Sequence, residues 1–248
     1  MTAEANVVMA RAADELPVGT QRPRVAVVIP ALNEQETVAD VVAAAQRAGL
    51  VDEVIVVDNG SSDGTFSAAA GQGARVVTEP FPGKGEAMQT GVAATDAEVI
   101  VFLDADLVGL RADHVDALAE SVLDGAGMAC GLFDRGPLLN PVFVHVLPAL
   151  TGERALRREM FEALTPEFAH GYRIEAGLNS LAKERGVPVV RFVCRRMWHR
   201  PKEEKLGPFR GFLAKVSMLL TAVLAYLLWR VRAGRASRAK GRAPGVRR

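Results

Sequence analysis

Hydrophobic and polar positions along the first half of the chain fall into two kinds of block. Continuous apolar runs end at polar or turn-forming residues, as in strands buried on both faces; they occupy 24–29, 53–57, 74–78 and 98–103, with a fifth near 127–132. Segments with apolar residues at helical spacing lie between them, at 37–48, 64–70, 83–94 and 112–123. This alternation predicts an α/β fold whose mostly parallel sheet is covered by helices on both faces.

The pattern is less regular after residue 132. We predict a helix that begins at Thr165-Pro166 and runs to about Lys183, because proline suits the first helical position. A further strand is predicted over 187–193, and a basic loop over 195–205. No element is predicted for 133–164.

The C-terminal region has a separate pattern. Residues 206–231 carry apolar side chains at helical spacing, with Tyr226 and Trp229 near the end, and eight basic residues without an acidic one follow from Arg230 to Arg248. Aromatic residues followed by Lys and Arg are typical of a membrane interface on the cytoplasmic side. A peripheral membrane helix over 209–231, a packing helix in a homodimer or domain interface, and a spanning helix all stay open.

Composition limits the number of domains and the partners. The 248 residues, about half of them apolar, suit one sizeable α/β domain, which we place at 23–205, after a flexible leader over 1–22 and before the helix at 206–231 and a basic tail over 232–248. The leader has acids and no apolar segment, so it is not a signal peptide. A net charge of +1 gives no indication of nucleic-acid binding. Cys130 and Cys194 lack metal-site spacing and are predicted to be buried thiols in the cytoplasm.

Polar side chains cluster where the predicted strands end, which is where parallel sheets bind ligands. Asp104 and Asp106 directly follow the fourth strand. Two carboxylates at i and i+2 of an extended segment point to one side, and their repulsion is offset when a cation binds. Carboxylate oxygens suit Mg²⁺ or Mn²⁺ held together with substrate phosphates.

Two further groups of residues suit a nucleotide. Gly83-Lys84-Gly85 opens a helix, where glycines allow close backbone approach and the helix N-terminus favours an anion. Asn33-Glu34 and Asp58 follow the first two strands and suit recognition of a nucleoside, although Asn33 and Glu34 could equally cap a helix.

Four segments carry a resemblance to family 2-type glycosyltransferases: VVIPALNE at 27–34, VDNGSSDGT at 57–65, GKGEA at 83–87 and FLDADL at 102–107. The resemblance implies a GT-A (Rossmann-like) fold and a nucleotide-sugar donor, UDP-sugar favoured. It places the donor at the residues Pro30, Ala31, Leu32, Glu34, Asp58, Ser61, Gly83, Lys84 and Asp104, and Mg²⁺ or Mn²⁺ at Asp104 and Asp106.

Two later segments resemble glucosyl-3-phosphoglycerate synthases: TGERALRRE at 151–159 and GYRIEAGL at 171–178. In those enzymes such segments line the sugar and acceptor side, and a His after the last core strand is a third metal ligand. His199 occupies the matching place, and a neutral imidazole can join two carboxylates around Mn²⁺.

The acceptor is predicted less narrowly than the donor. After the fifth strand, where phosphoglycerate enzymes carry several arginines, residues 134–142 contain one, and a three-charge acid requires several cationic or backbone donors. A lipid-phosphate acceptor, as in dolichyl- and polyprenyl-phosphate sugar synthases, therefore stays open beside a phosphorylated small molecule.

The reaction could use a catalytic base or none. An inverting attack by a hydroxyl needs a carboxylate base, and the motifs nominate Glu153 and Glu175 as catalytic residues; a phosphate acceptor or a retaining front-face transfer needs none. Two other classes compete with a transferase of sugars. A nucleotidyltransferase would carry a glycine-rich loop where this chain has PALNE, and a non-catalytic membrane-docking protein would not need every donor-side motif.

Overall fold

The computed structural model describes residues 22–134, 136, 140, 151–171 and 173–200. Nine strands are assigned in this part of the chain: β1 Val25–Ala31, β2 Glu53–Asp58, β3 Arg75–Thr78, β4 Val99–Phe102, β5 Leu107–Val108, β6 Met128–Phe133, β7 Arg154–Arg157, β8 Val189–Cys194 and β9 Trp198–His199. The α-helices there are α1 Val38–Gln46, α2 Thr65–Gly71, α3 Lys84–Ala93, α4 Ala112–Leu123, α5 Arg158–Glu162 and α6 Arg173–Arg185, and a 3₁₀ helix spans Pro166–Phe168.

Seven strands form the central sheet in the order β3-β2-β1-β4-β7-β6-β8. All its pairs are parallel except those of β7, which runs antiparallel to both β4 and β6. The predicted α/β fold with a mostly parallel sheet is confirmed. β5 and β9 form a separate two-stranded antiparallel ribbon.

Helices cover both faces of the sheet, as the apolar runs predicted. One core cluster includes Val41 of α1 and Leu118 of α4, and the other includes Met88 of α3 and Leu178 of α6. β1 and β4 lie in the middle and are almost wholly buried, because each is covered on both faces. This burial is the main stabilising contribution to the fold.

Most predicted elements are observed within two residues of their predicted ends. The helix predicted to run from Thr165 to Lys183 is wrong as one element: a 3₁₀ turn comes first, and α6 begins at Arg173. Gly171, with φ +55°, separates the two, because this left-handed backbone conformation does not continue a right-handed helix. β7 was not predicted, because its sequence, Arg-Ala-Leu-Arg, consists of residues that favour helices, whereas the equally short β3 and β4 carry β-branched residues.

The leader, the helix at 206–231 and the basic tail lie outside the described residues, apart from Arg22. None of the helices in the described part of the chain combines the length and hydropathy needed to cross a bilayer.

Candidate active site

The fold brings Asp104, Asp106 and His199 together beyond the end of β4. One ligand atom from each lies within 4.8 Å of the others. The ribbon explains the meeting: β5 begins directly after Asp106, and β9 pairs His199 with Leu107 of β5. The Arg200 N–H also donates to the Asp106 carbonyl at 2.9 Å. Ala105 and Asp106 form a turn rather than the extended segment we predicted, yet the carboxylates of Asp104 and Asp106 both lie beside the imidazole.

Distances within this cluster fit a small cation. His199 Nδ1 lies 3.5 Å from Asp106 Oδ1, and His199 Nε2 lies 3.7 Å from Asp104 Oδ2. His199 Nε2 is buried and lies between the carboxylates of Asp104 and Glu153, at 3.7 and 3.4 Å. Two carboxylates and one imidazole are a donor set suited to Mn²⁺ or Mg²⁺.

Glu153 and Phe133 contact the His199 ring, and Thr151 supports Glu153 from behind. Glu153 Oε1 lies 3.4 Å from His199 Nε2, and the Glu153 side chain is fully buried. The Thr151 hydroxyl contacts the other Glu153 carboxylate oxygen and lies 2.9 Å from the Gly131 carbonyl. Phe133 packs edge-on against the imidazole, with ring centroids 4.4 Å apart. These contacts fix the orientation of the ring, as outer partners of metal-binding histidines do.

The charges around His199 change its titration. Burial alone would lower the pKa of the imidazole, but contact with Glu153 and the charges of Asp104 and Asp106 more than offset it and raise that pKa to about 9. Without a cation the ring is therefore protonated at neutral pH, where it neutralises part of the acidic cluster. A bound metal would take over this role, since a metal ligand must be neutral imidazole.

Lys84 connects Asp104 of the cluster to the Glu175 carboxylate. Its Nζ lies 2.7 Å from Asp104 Oδ1 and 2.7 Å from Glu175 Oε1. Burial opposes the charge of Lys84, but Asp104 and Glu175 raise its pKa above the ordinary value. A fixed ammonium beside the metal ligands is well placed to contact a diphosphate.

β7 brings Glu153 into the site, because this strand runs back along β4 and the residues before it lie beside Asp104. A Cβ added to Gly152 would overlap the Asp104 carboxylate. Only a residue without a side chain fits there, so Gly152 sets how close the Thr151–Glu153 backbone can come to the metal ligands. Gly152 lies within the TGERALRRE segment at 151–159, but the sequence alone does not indicate a role for it.

The two glycines around Lys84 have separate structural reasons. Gly83 has φ +152°, and a Cβ there would overlap the Glu86 carboxylate. Gly85 packs against the backbone of 169–171, where its Cβ would overlap the Ala169 carbonyl. The described contacts of Gly85 are thus with the protein itself, and phosphate binding by Gly83 stays a prediction.

The predicted nucleoside residues form one wall at the ends of β1 and β2. Ala31 pairs with Asp58 and Pro30 with Val57 across the two strands. The loops that follow are joined by hydrogen bonds: the Asn33 N–H donates to Ser61 Oγ at 3.0 Å, the Glu34 N–H to Thr65 Oγ1 at 2.8 Å, and the Ser61 N–H to Asp58 Oδ1 at 3.2 Å. Leu32 is half exposed beside them, so an apolar surface is available to a base.

Every residue nominated from the sequence lies at this one edge of the sheet, or beside it in the case of Glu153, Glu175 and His199. Their individual roles stay predictions. Sequence reasoning missed Phe133 and Asn59, which support these residues; an aromatic residue and an Asn-Gly pair carry no signal of such a role.

A Rossmann-like sheet that ends in two carboxylates, an imidazole and a buried lysine defines the class of protein: a GT-A glycosyltransferase. Residues 26–176 match the family described as Glycosyl transferase family 2. The chain belongs to this family.

Its relatives include glucosyl-3-phosphoglycerate synthases. The enzyme of Mycolicibacterium smegmatis is 34% identical over 230 residues, which cover 77% of this chain and 75% of that protein. The Mycobacterium tuberculosis enzyme is 35% identical over 193 residues, and the match spans 59% of its length. The crystal structure of the latter enzyme with Mn²⁺, UDP-glucose and phosphoglyceric acid superposes with a TM-score of 0.64 at 32% identity, covering 81% of this chain and 80% of that one.

Proposed function

We propose that this glycosyltransferase transfers glucose from UDP-glucose to 3-phosphoglycerate or a closely similar phosphorylated acid, with Mn²⁺ or Mg²⁺ bound at Asp104, Asp106 and His199. The convergence of these three ligands from distant parts of the chain carries the proposal. The solved relatives that bind UDP-glucose with Mn²⁺, or UDP with Mg²⁺, support it.

The site residues divide the binding of the donor between them. Asp58 and Glu34 would accept hydrogen bonds from the nucleoside, with Pro30, Ala31, Leu32 and Ser61 completing the wall. Lys84 would contact the diphosphate, where its charge stabilises the leaving group. The cation, when bound, neutralises charge that develops on the diphosphate as the sugar departs.

Glu153 and Glu175 stay our candidates for catalytic roles, and their contacts favour positioning over proton removal. Glu153 is fully buried against His199 and Thr151, and Glu175 is paired with Lys84. A carboxylate held by such partners is poorly placed to act as a general base, which must reach the acceptor proton. This supports a retaining transfer, in which the acceptor proton passes to a phosphate oxygen of the leaving diphosphate and no protein base is needed.

The test is a transfer assay with the full chain. With Mn²⁺ and UDP-glucose, 3-phosphoglycerate should give a product heavier by one glucosyl group, detected by mass spectrometry, together with UDP. GDP-glucose should react much more slowly. Transfer to a polyprenyl phosphate with none to 3-phosphoglycerate would contradict the proposed acceptor and favour the lipid-phosphate alternative.

A pair of variants checks the metal residues. Asp106→Asn should lower the transfer rate at least a hundredfold, because it removes a charged ligand. Asp113→Asn is the matched control: Asp113 is exposed on α4 and pairs with Arg111, so its rate should match wild type. Equal rates for both variants would refute the metal assignment.

The remaining expectations concern the cell and assembly. We propose a cytoplasmic enzyme, because Cys130 and Cys194 are buried free thiols, as is usual in a reducing compartment. Peripheral membrane contact through 209–231 and homodimer formation remain proposals from sequence, and removal of residues 209–248 tests them. Unchanged activity and unchanged vesicle binding in the truncated protein would argue against the membrane contact.

A further inference from the structure

The loop between β3 and Lys84, residues 79–83, has few ways to hold itself in place. Pro80 and Pro82 have no N–H group, and Phe81 is 72% exposed, so its side chain does little packing. The conformation of this loop decides where α3 begins and hence where Lys84 enters the site. Its backbone groups must therefore find partners elsewhere.

Asn59 supplies those partners. Its side-chain Nδ2 donates to the Glu79 carbonyl at 3.0 Å and to the Phe81 carbonyl at 2.7 Å, and its Oδ1 accepts from the Gly83 N–H at 2.8 Å. Both amide hydrogens and the carbonyl oxygen are thus used, at distances typical of good hydrogen bonds. Asn59 is 8% exposed, so water cannot easily replace these bonds.

Glu79 extends the same arrangement to α3. The Glu79 N–H donates to the Asp58 carbonyl at 2.9 Å, and Glu79 Oε1 accepts from the Phe81 N–H at 2.8 Å. The other Glu79 carboxylate oxygen accepts from the Thr90 hydroxyl on α3. The end of β2, the loop and α3 are therefore connected by hydrogen bonds on both sides of Asn59.

We infer that Asn59 is a positioning residue: it acts through Lys84, and its effect is on binding of the sugar donor. Asp58, directly before it, belongs to the nucleoside wall, and Gly83, which it holds, directly precedes the diphosphate lysine. The asparagine thus sets the spacing between the two ends of the donor site. This inference rests on the proposed function for the identity of the donor, UDP-glucose.

Asn59→Asp is the sharpest test, because the side chain keeps its shape. The new carboxylate would still accept a hydrogen bond from the Gly83 N–H. Its other oxygen would face the Glu79 and Phe81 carbonyls, which would lose their donor and meet an acceptor instead. We expect the Kd for UDP-glucose in the presence of Mn²⁺, measured by calorimetry, to rise at least tenfold. The KM for the acceptor should change less than twofold, since Asn59 does not contribute to that side.

A double-mutant cycle with Lys84→Met separates positioning from general destabilisation. If Asn59 acts through Lys84, N59D should weaken donor binding less than twofold further in the K84M background. Gln72→Glu, the same change of amide to acid at an exposed residue after α2, is the matched control and should bind UDP-glucose like wild type. Circular dichroism establishes that each variant is folded; should N59D be unfolded, Asn59→Ser takes its place under the same criteria.

Two results would overturn the inference: a folded N59D variant whose Kd for UDP-glucose is within twofold of wild type, or an N59D effect as large in the K84M background as in wild type. Failure of the proposed function has a different signature. In that case the wild-type chain fails to transfer glucose to 3-phosphoglycerate, while the binding measurements on Asn59 still stand by themselves.

Discussion

Replacing Gly152 by alanine tests the close approach between the backbone of residues 151–153 and Asp104, one of the proposed metal ligands. The added Cβ would overlap the Asp104 carboxylate, with all three nearest atoms belonging to that side chain. This segment is fixed by β7 behind it, and the adjacent Thr151 and Glu153 side chains are buried. Asp104 must therefore rotate away from its present position, rather than the segment moving.

The expected loss of metal affinity follows from the contacts that Asp104 makes. A displaced Asp104 loses its contact with Lys84 and its alignment with His199, so the cation keeps two of its three protein ligands. Changes to outer partners of metal ligands cost about 10–100-fold in metal affinity. Displacement of a ligand itself should reach the upper end of that range, about 2.7 kcal/mol of binding free energy.

Mn²⁺ binding to the folded protein, followed by electron paramagnetic resonance, measures this change. Gly71→Ala is the matched control, since nothing lies within 4 Å of a Cβ at that position and its backbone is helical. We expect G71A to bind Mn²⁺ like wild type. A folded G152A variant that also binds Mn²⁺ like wild type would refute the reasoning, because it would mean that the segment yields and Asp104 stays.

Four further predictions concern protonation and pairing. Because the pKa of His199 is about 9 without metal, Mn²⁺ must displace a proton from this imidazole at neutral pH. The affinity for Mn²⁺ should therefore rise about tenfold per pH unit from pH 7 towards 9 and then level off. Calorimetry in buffers of different ionisation enthalpy should show about one proton released, and an affinity that does not depend on pH would count against His199 as a metal ligand. In the metal-free protein the same raised pKa stabilises the fold fully below about 6.5, the unfolded value, and this contribution is lost as the pH rises through 9, which thermal melts with a chelator would detect. Glu175→Gln should lower the transfer rate more than tenfold with little change in stability, because Lys84 loses one of its two charged partners; a rate equal to wild type would remove Glu175 from the machinery. Asp52→Asn should destabilise the protein by about 1–2 kcal/mol at pH 7, because the Asp52 carboxylate accepts a hydrogen bond from the Val25 N–H at 2.7 Å. Burial opposes the charge of Asp52, but hydrogen bonds and Arg22 lower its pKa. The stabilisation is therefore present above the pKa of Asp52 in the unfolded chain and is lost as the pH falls through its pKa in the folded protein.

The donor half of the site could be predicted because each of its residues follows a strand with a clear apolar pattern. Ala31, Asp58 and Asp104 come at or just after the ends of neighbouring strands, and a parallel sheet places such ends together. Sequence periodicity alone therefore located these residues on one edge. Their order in the sheet, β2-β1-β4, was not needed for the conclusion.

The part of the site that comes from β7 and β9 could not be predicted in the same way. β7 pairs antiparallel in the middle of the sheet, and its residues, Arg-Ala-Leu-Arg, do not show the pattern of a strand. Glu153 and Gly152 owe their positions to this insertion. His199 was found only through the resemblance. Its strand β9 has two residues, and its partner, Leu107 of β5, lies far earlier in the sequence.

The supporting hydrogen bonds are the least predictable part of the site. Asn59 looks like half of an ordinary Asn-Gly turn, and its role depends on three backbone groups that lie twenty or more residues away. Such roles depend on how the loops are arranged in the folded protein, and the residue type alone does not predict which backbone groups an asparagine will bind.

The ribbon of β5 and β9 has a consequence for how the protein is made. Asp104 and Asp106 leave the ribosome almost a hundred residues before His199, so a nascent chain carries two converging carboxylates without the imidazole that balances them. The imidazole reaches the two carboxylates only when β9 has paired with β5. If the three residues bind the cation as proposed, a chain that ends before β9 would carry the two carboxylates of the site without the imidazole.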